Sequence, residues 1–336
     1  MELIRKNKPL FIMMVGLAGS GKSTFAEDIV VNYNNMNSKP ALHSSDKLRL
    51  ELYGDEQDQK HNQEVFNELH KRIKTDLNNG RDVIYDATNM SKKRRISFLS
   101  ELSNIQCEKH CICVMTPYKK CLHFNESRER TIPDGAIKRM YMNWTPPHKS
   151  EGWDNVILHY NVDADLSYNI NELMRKLNAI DQENSHHSLT IGQHCIQAYR
   201  YIQEKGIDDR NLKIATLLHD IGKEFTKTYI NARGENDGEA HYYQHQNVGS
   251  YDSLFYTKDI NISDDDRLDI ANMIYYHMHP YMSWSKSMKS MNRDKMMLGD
   301  KMFNNIQLLH EADRNAHMPT QLIDKPDFEE GLEIGR

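Results

Sequence analysis

Two stretches of this 336-residue chain carry side chains in patterns that do chemistry. GLAGSGKST, residues 16–24, fills the pattern G-x-x-x-x-G-K-[ST] with Gly16, Gly21, Lys22 and Ser23. Glycines let backbone N–H groups wrap phosphate oxygens, and the start of a helix adds its positive end. Gly16, Gly19, Gly21, Lys22, Ser23 and Thr24 are therefore expected to cradle the phosphates of ATP. Lys22 would reach the β- and γ-phosphates and the Ser23 hydroxyl would hold Mg²⁺. The apolar run PLFIMMVG before the motif and the helical rhythm after it favour this over an empty Gly-rich turn.

The second stretch is LLHDIGKEF, residues 217–225, with His219 and Asp220 side by side among apolar neighbours. Adjacent side chains on a helix point about 100° apart, yet both can reach a metal at its edge. His and carboxylate ligands suit a divalent transition metal such as Mn²⁺, Ni²⁺ or Fe²⁺, or else Mg²⁺. Further ligand-capable residues sit in helical segments on either side: His194, His245, His277, His279 and Asp313. Burying such groups is costly unless they are paired or bind metal. One buried histidine is usually a satisfied core residue; a whole series is hard to explain that way. Lys223 follows His219 by one turn and is a candidate for steadying a substrate phosphate, with surface decoration the alternative. His186 and His187 are candidates for the pocket mouth.

Beyond the phosphate loop, SSDKLR places Asp46 and Arg49 just past a short strand. A carboxylate there is suited to accept a hydroxyl proton, and an Arg to grip a phosphate bidentately. The plainer alternative is Asp46 as a helix cap. GLAGSGKST, SSDKLR, YDATNMSKKRR (85–95) and RERTIPDGAIKRMY (128–141) together resemble the phage and bacterial polynucleotide 5′-hydroxyl kinases over residues 9–160. The resemblance implies Asp46 as general base and Arg49 beside the attacked hydroxyl. It puts the Thr-Asn pair at Thr88 and Asn89 and the acceptor-side acid at or beside Asp86. A lid Arg on the ATP phosphates falls on Arg128 or Arg130.

The order H…HD…H…H…D similarly resembles the HD-domain metal-dependent phosphohydrolases over residues 184–320. That resemblance implies a metal on His194, His219, Asp220 and Asp313, and a second one recruiting His245 and His277. Asp220 is the candidate catalytic carboxylate of this half.

These residues need two kinds of scaffold. Short apolar strands at 9–16, 40–44, 81–89, 107–117 and 156–162 alternate with helical stretches, which predicts a parallel α/β sheet with flanking helices. From Leu189 to His317 the pattern is helical and His-dense, with NARGENDGEAH, 231–241, as a polar loop. The expected organisation is an α/β P-loop kinase domain over 1–170 followed by an all-α HD domain over 171–336.

Composition narrows the class. Charged residues at 27% and hydrophobic ones at 38% fit a globular protein. No apolar run approaches the ~18–20 residues of a membrane span, and no signal-peptide layout appears, so a cytoplasmic location is expected. Five cysteines form no paired framework, which implies free thiols. The net charge of −5 argues against a general nucleic-acid coat but leaves room for a basic groove lined by SKKRR, 91–95. Abundant Asn, Lys, Ile, Tyr and Met hint at an AT-rich genome such as a bacteriophage's. Cys107, His110, Cys111 and Cys113 match no common zinc spacing.

Both halves fit one substrate if it is a broken RNA or DNA strand. The resemblances imply phosphorylation of a 5′-hydroxyl end and removal of a 3′-phosphate or 2′,3′-cyclic phosphate. No K-x-D-G nucleophile motif is present, so a separate ligase would join the ends. The alternative is a small-molecule kinase fused to an HD nucleotidase or a regulatory HD module.

Overall fold

The computed structural model describes residues 8–33, 39–128, 131–163, 166–184 and 188–316. It divides into two compact units, Met1–Met140 with Pro147–Val162 and Tyr141–Pro146 with Asp163–Arg336.

The first unit is a five-stranded parallel sheet. In chain order its elements are β1 (Leu10–Val15), α1 (Lys22–Val31), β2 (Ala41–Ser44), α2 (Ser45–Tyr53), α3 (Asn62–Asn78), β3 (Val83–Asp86), α4 (Lys92–Glu101), β4 (Glu108–Met115), α5 (Tyr118–Glu126), α6 (Asp134–Met142) and β5 (Asn155–Tyr160). The strand order is β2-β3-β1-β4-β5. Helices on the faces of a parallel sheet bury both sides of its strands, and every residue of LFIMMV in β1 is buried. Alternation sorts them. Leu10, Ile12 and Met14 join Ala26, Ile84, Ile112 and Val114 in one cluster. Phe11, on the opposite face, meets Phe98 edge-on at 5.6 Å and stacks on Trp153 at 6.4 Å. With all pairing parallel, the C-terminal tips of the strands share one edge, where ligands of open α/β sheets bind.

The second unit is helical: α7 (Ile170–Leu177), α8 (Ile191–Glu204), α9 (Arg210–Leu218), α10 (Lys223–Thr226), α11 (His245–Tyr256), α12 (Asp264–Tyr276), a π-type turn (Pro280–Trp284) and α13 (Met288–Asn315). Two of its helices start on reciprocal capping boxes, Thr190 with Gln193 and Ser263 with Asp266. Apolar faces of α7, α8, α9, α12 and α13 meet in one core that includes Leu177, Ile191, Leu218, Ile274 and Ile306. The segment expected as a polar loop is instead an antiparallel hairpin of β6 (Thr228–Ile230) and β7 (Asn236–His241). Its strands are largely exposed, so no apolar alternation marks them in the sequence. Among the described residues no helix is long and apolar enough to cross a membrane.

Candidate functional site

In the first unit the loop between β1 and α1 is shaped for an anion. Gly19 and Gly21 take φ of 79° and 85°, in the left-handed region. A Cβ on Gly19 would lie 2.2 Å from the Cys121 carbonyl oxygen, so no side chain fits there. Gly21 caps α1 without any side-chain hydrogen bond, leaving the first-turn N–H groups for a ligand. The loop is strapped from behind: the Ser20 carbonyl accepts from Thr116 Oγ1 at 2.8 Å and Asn161 Nδ2 at 3.1 Å. Thr88 accepts from Gly16 N at 3.1 Å, and Asn89 donates to the Met14 carbonyl at 2.9 Å. A cavity of about 370 Å³ opens against the loop, lined by Gly19, Ser20, Gly21, Thr24, Arg128 and His159 among others. Arg130 lies outside the described residues, as do His186 and His187.

Asp46 stands in the first turn of α2, which Ser44 caps; it is not itself the cap. Its Oδ1 accepts from Arg49 Nη1 at 2.7 Å. Arg49 also donates to Asn62 Oδ1 at 2.8 Å, while its buried Nε has no partner. Asp46 itself is exposed, its side chain 64% accessible. Asp86, at the tip of β3 beside β1, is buried and its Oδ1 has no partner. An orphaned buried carboxylate oxygen near an uncapped helix start fits a site that takes a cation with its anion. The run VIYD ending at a strand tip was the available signal for Asp86. Nothing in the sequence pointed to Asn161 or Thr116.

One expectation is corrected. The basic cluster 91–95 does not present all its cations to solvent, because Arg95 is 1% exposed. Its guanidinium forks onto Glu151, Nε–Oε2 2.8 Å and Nη2–Oε1 2.7 Å, and Nη1 donates to the Asn89 and Met90 carbonyls. A planar fork that satisfies a carboxylate and two carbonyls is a structural strut.

In the second unit six ligand-capable groups converge. His194 Nε2 lies 3.2 Å from His219 Nε2 and 3.0 Å from Asp313 Oδ1. His245 Nε2 lies 3.2 Å from His277 Nε2 and 3.2 Å from Asp220 Oδ1. Two triads result, His194–His219–Asp313 and Asp220–His245–His277. Asp220 faces both, because its Oδ2 is 3.4 Å from His194 Nε2 and 3.4 Å from His219 Nε2. All six residues are buried.

Helix ends set the rings. His219 and His277 occupy the C-caps of α9 and α12. Nδ1 of His219, His245 and His277 lies 2.6–2.8 Å from the carbonyl three residues back, Thr216, Tyr242 and Ile274 respectively. A carbonyl can only accept, so Nδ1 carries the proton and Nε2 is left as a donor to metal. Two Nε2 lone pairs 3.2 Å apart repel unless a cation lies between them, and this donor set fits a divalent metal. Burial lowers the His277 pKa to about 3, so its ring is neutral. Burial opposes the Asp220 charge, but the Lys223 ammonium 2.7 Å away holds its pKa well below the usual carboxylate value.

Two residues support this cage without having been legible as doing so. A Cβ on Gly222 would sit 2.1 Å from the His245 carbonyl oxygen, so glycine alone lets the His219–Asp220 turn approach α11. Gln182, fully buried, accepts from Lys223 Nζ at 2.7 Å. Lys223 is itself buried and donates to Asp220 Oδ2 at 2.7 Å, so it braces that carboxylate rather than decorating the surface. His279, left without a role by the sequence, packs on Tyr276 at 4.4 Å. The described ligand groupings include no cysteine, and all five thiols are free and buried.

Comparison with known proteins gives two family matches: an AAA domain over residues 11–147 and an HD domain over residues 184–317. Two structures of a Pnkp1/Rnl/Hen1 complex, one titled as an RNA repair complex, contain chains 22% and 20% identical to this one. They cover 41% and 39% of this chain and 45% and 43% of their own, with TM-scores of 0.34 and 0.31. A gluconokinase from Sinorhizobium meliloti is 13% identical over 47% of this chain and 86% of its own, with a TM-score of 0.34. The chain thus spans less than half the length of the Pnkp1/Rnl/Hen1 chains it matches. It joins a kinase-like P-loop domain of the AAA type, built on the parallel sheet, to a helical HD domain.

Proposed function

We propose that the chain heals broken nucleic-acid ends at two sites. The P-loop unit transfers the γ-phosphoryl group of ATP to a 5′-hydroxyl. The HD unit removes a 3′-phosphate or a 2′,3′-cyclic phosphate. The observation that carries this reading is the sharing of Asp220 between two buried ligand triads, in a chain that also pairs Asp46 with Arg49 beyond a P-loop. A ligase is the expected partner.

At the first site Asp46 would accept the proton of the attacking 5′-hydroxyl, with Arg49 holding its carboxylate in place. Lys22 and Arg128 would neutralise charge on the transferring phosphoryl group, and Ser23 with Asp86 would hold Mg²⁺. At the second site His194, His219 and Asp313 would hold one divalent cation and His245 and His277 another, with Asp220 between them. Such cations, when bound, polarise a phosphoryl oxygen. Lys223 would keep Asp220 ionised and oriented as a ligand to both.

A second reading keeps both folds and makes the acceptor a small metabolite, with a nucleotidase or regulatory HD unit. The engagement of Arg95 with Glu151 favours it, because a cation counted toward a polynucleotide groove is withdrawn. An RNA oligonucleotide bearing a 5′-hydroxyl and a 2′,3′-cyclic phosphate separates the two readings. With ATP, Mg²⁺ and either Mn²⁺ or Ni²⁺, both ends are expected to change. Equal phosphorylation of free nucleosides would transfer the kinase to small molecules. Stoichiometric metal without turnover of any phosphoester would make the HD unit a regulatory module.

A further inference from the structure

Two aromatic side chains on segments that adjoin or carry cage residues are left unused by the reading above. Tyr281 lies in the π-type turn four residues beyond His277, and His310 lies on α13 three residues before Asp313. Residues three apart on a helix share a face, so His310 stands beside the Asp313 carboxylate. The two rings meet edge to face, centroids 4.2 Å apart at 77°. Burial pushes the Tyr281 phenol above its ordinary pKa, and the Asp313 and Asp220 carboxylates add to this. Yet Tyr281 is 41% exposed, and its hydroxyl bonds no described residue. The buried Nδ1 of His310 has no partner either. Single π-type turns recur at functional sites, where they re-aim a side chain.

An exposed aromatic ring beside a phosphate-handling site is suited to stack a heterocyclic base, and such stacking tolerates any base because each has a π-face. We propose that Tyr281, braced by His310, is the stacking platform for the base of the 3′-terminal nucleotide whose phosphate the HD unit handles. The inference rests on the phosphohydrolase reading of that unit and adds to it a preference for nucleotides over base-free phosphoesters.

The test uses the full Mn²⁺-loaded chain in a Lys22→Ala background, which blanks the P-loop. Binding of the non-hydrolysable methylenephosphonate analogue of adenosine 3′-monophosphate, in which carbon replaces the bridging oxygen, and of inorganic phosphate is measured by calorimetry for this parent, Tyr281→Ala, Tyr281→Phe and His310→Ala. Tyr281→Ala should weaken nucleotide binding about 10-fold and leave phosphate binding unchanged. Tyr281→Phe should keep both, and His310→Ala should act like Tyr281→Ala but more weakly. Equal losses for both ligands, or no loss for either, would overturn the platform. Hydrolysis of adenosine 3′-monophosphate and of adenosine 2′,3′-cyclic monophosphate by the parent is followed separately. If the parent binds nucleotide but cleaves neither compound, the hydrolase reading fails, and the binding ratio alone decides the platform.

Discussion

The candidate phosphate cradle and the candidate metal cage are built in opposite ways. The cradle is backbone: nine consecutive residues, held open by glycines and an uncapped helix start. The cage is side chain: six residues from position 194 to position 313, each buried, aimed by the ends or faces of five separate segments. A backbone cradle can be specified locally, because φ/ψ preferences act over a few residues. A cage depends on the packing of every helix that carries a ligand. The first should therefore fail when one charge or one Cβ changes. The second should fail when any of several distant contacts moves.

The largest effects should come from substituting one charged group at each site. Lys22→Ala is expected to cut 5′ phosphorylation on the order of 10³-fold while sparing 3′ clearing. Asp220→Ala should cut 3′ clearing by more than about 100-fold, lower bound metal in elemental analysis, and spare the kinase. If either variant silenced both activities, the two regions could not be treated as separate sites. If Asp220→Ala kept two metals per chain, the sharing of its carboxylate between triads would be wrong.

Next is the strut inside the first unit. Both partners of the Arg95–Glu151 pair are fully buried, and truncating one leaves a charge uncompensated. Arg95→Ala should cost about 3–5 kcal/mol in chemical denaturation. The double change Arg95→Met with Glu151→Gln should recover part of that, since it removes the charge and keeps an acceptor for Trp153 Nε1.

A smaller loss is expected from Gly222→Ala, where the new Cβ meets backbone. Overpacking of this kind costs roughly 1–3 kcal/mol. Because it pushes the turn away from α11, metal titration should show the Asp220–His245–His277 triad weakened before the fold melts. Unchanged affinity at both triads would show that the turn's close approach does not set the cage.

The smallest effect concerns pH. Burial raises the Asp252 pKa from its ordinary 3.8 to about 7, against the hydrogen bond it accepts from Tyr141 at 2.6 Å. Its folded pKa lies above the unfolded one, so its contribution is complete below pH about 4 and is lost as pH rises through about 7. Asp252→Asn should flatten that part of the stability curve in thermal or urea melts across the window. A wild-type curve no steeper than the variant's between these limits would refute the assignment.

Some of this was legible in the residues alone. GLAGSGKST declared its cradle because the motif, the strand before it and the helix after it are contiguous. The series of His and Asp in helical segments announced a cluster of ligand-capable groups through polar residues in apolar company. The buried apolar run LFIMMV and the alternation of strands with helices in the first unit also read directly, since an apolar run bounded by turn residues is a local property. Other features depended on distance in the chain. The basic run 91–95 reads as a surface patch until Glu151, 56 residues on, is brought against Arg95. Lys223 reads as a free cation until Gln182 and Asp220 close around it. The hairpin at 228–241 has no apolar alternation because its strands are largely exposed. How Asp220 divides its two oxygens between the triads follows from the way α8, α9, α11, α12 and α13 pack. The sequence by itself determined which chemical groups are present and the local backbone that cradles phosphate. Tertiary structure alone decided which charges are spent on the fold and which remain to act, because a charge's partner is set by proximity in space rather than along the chain.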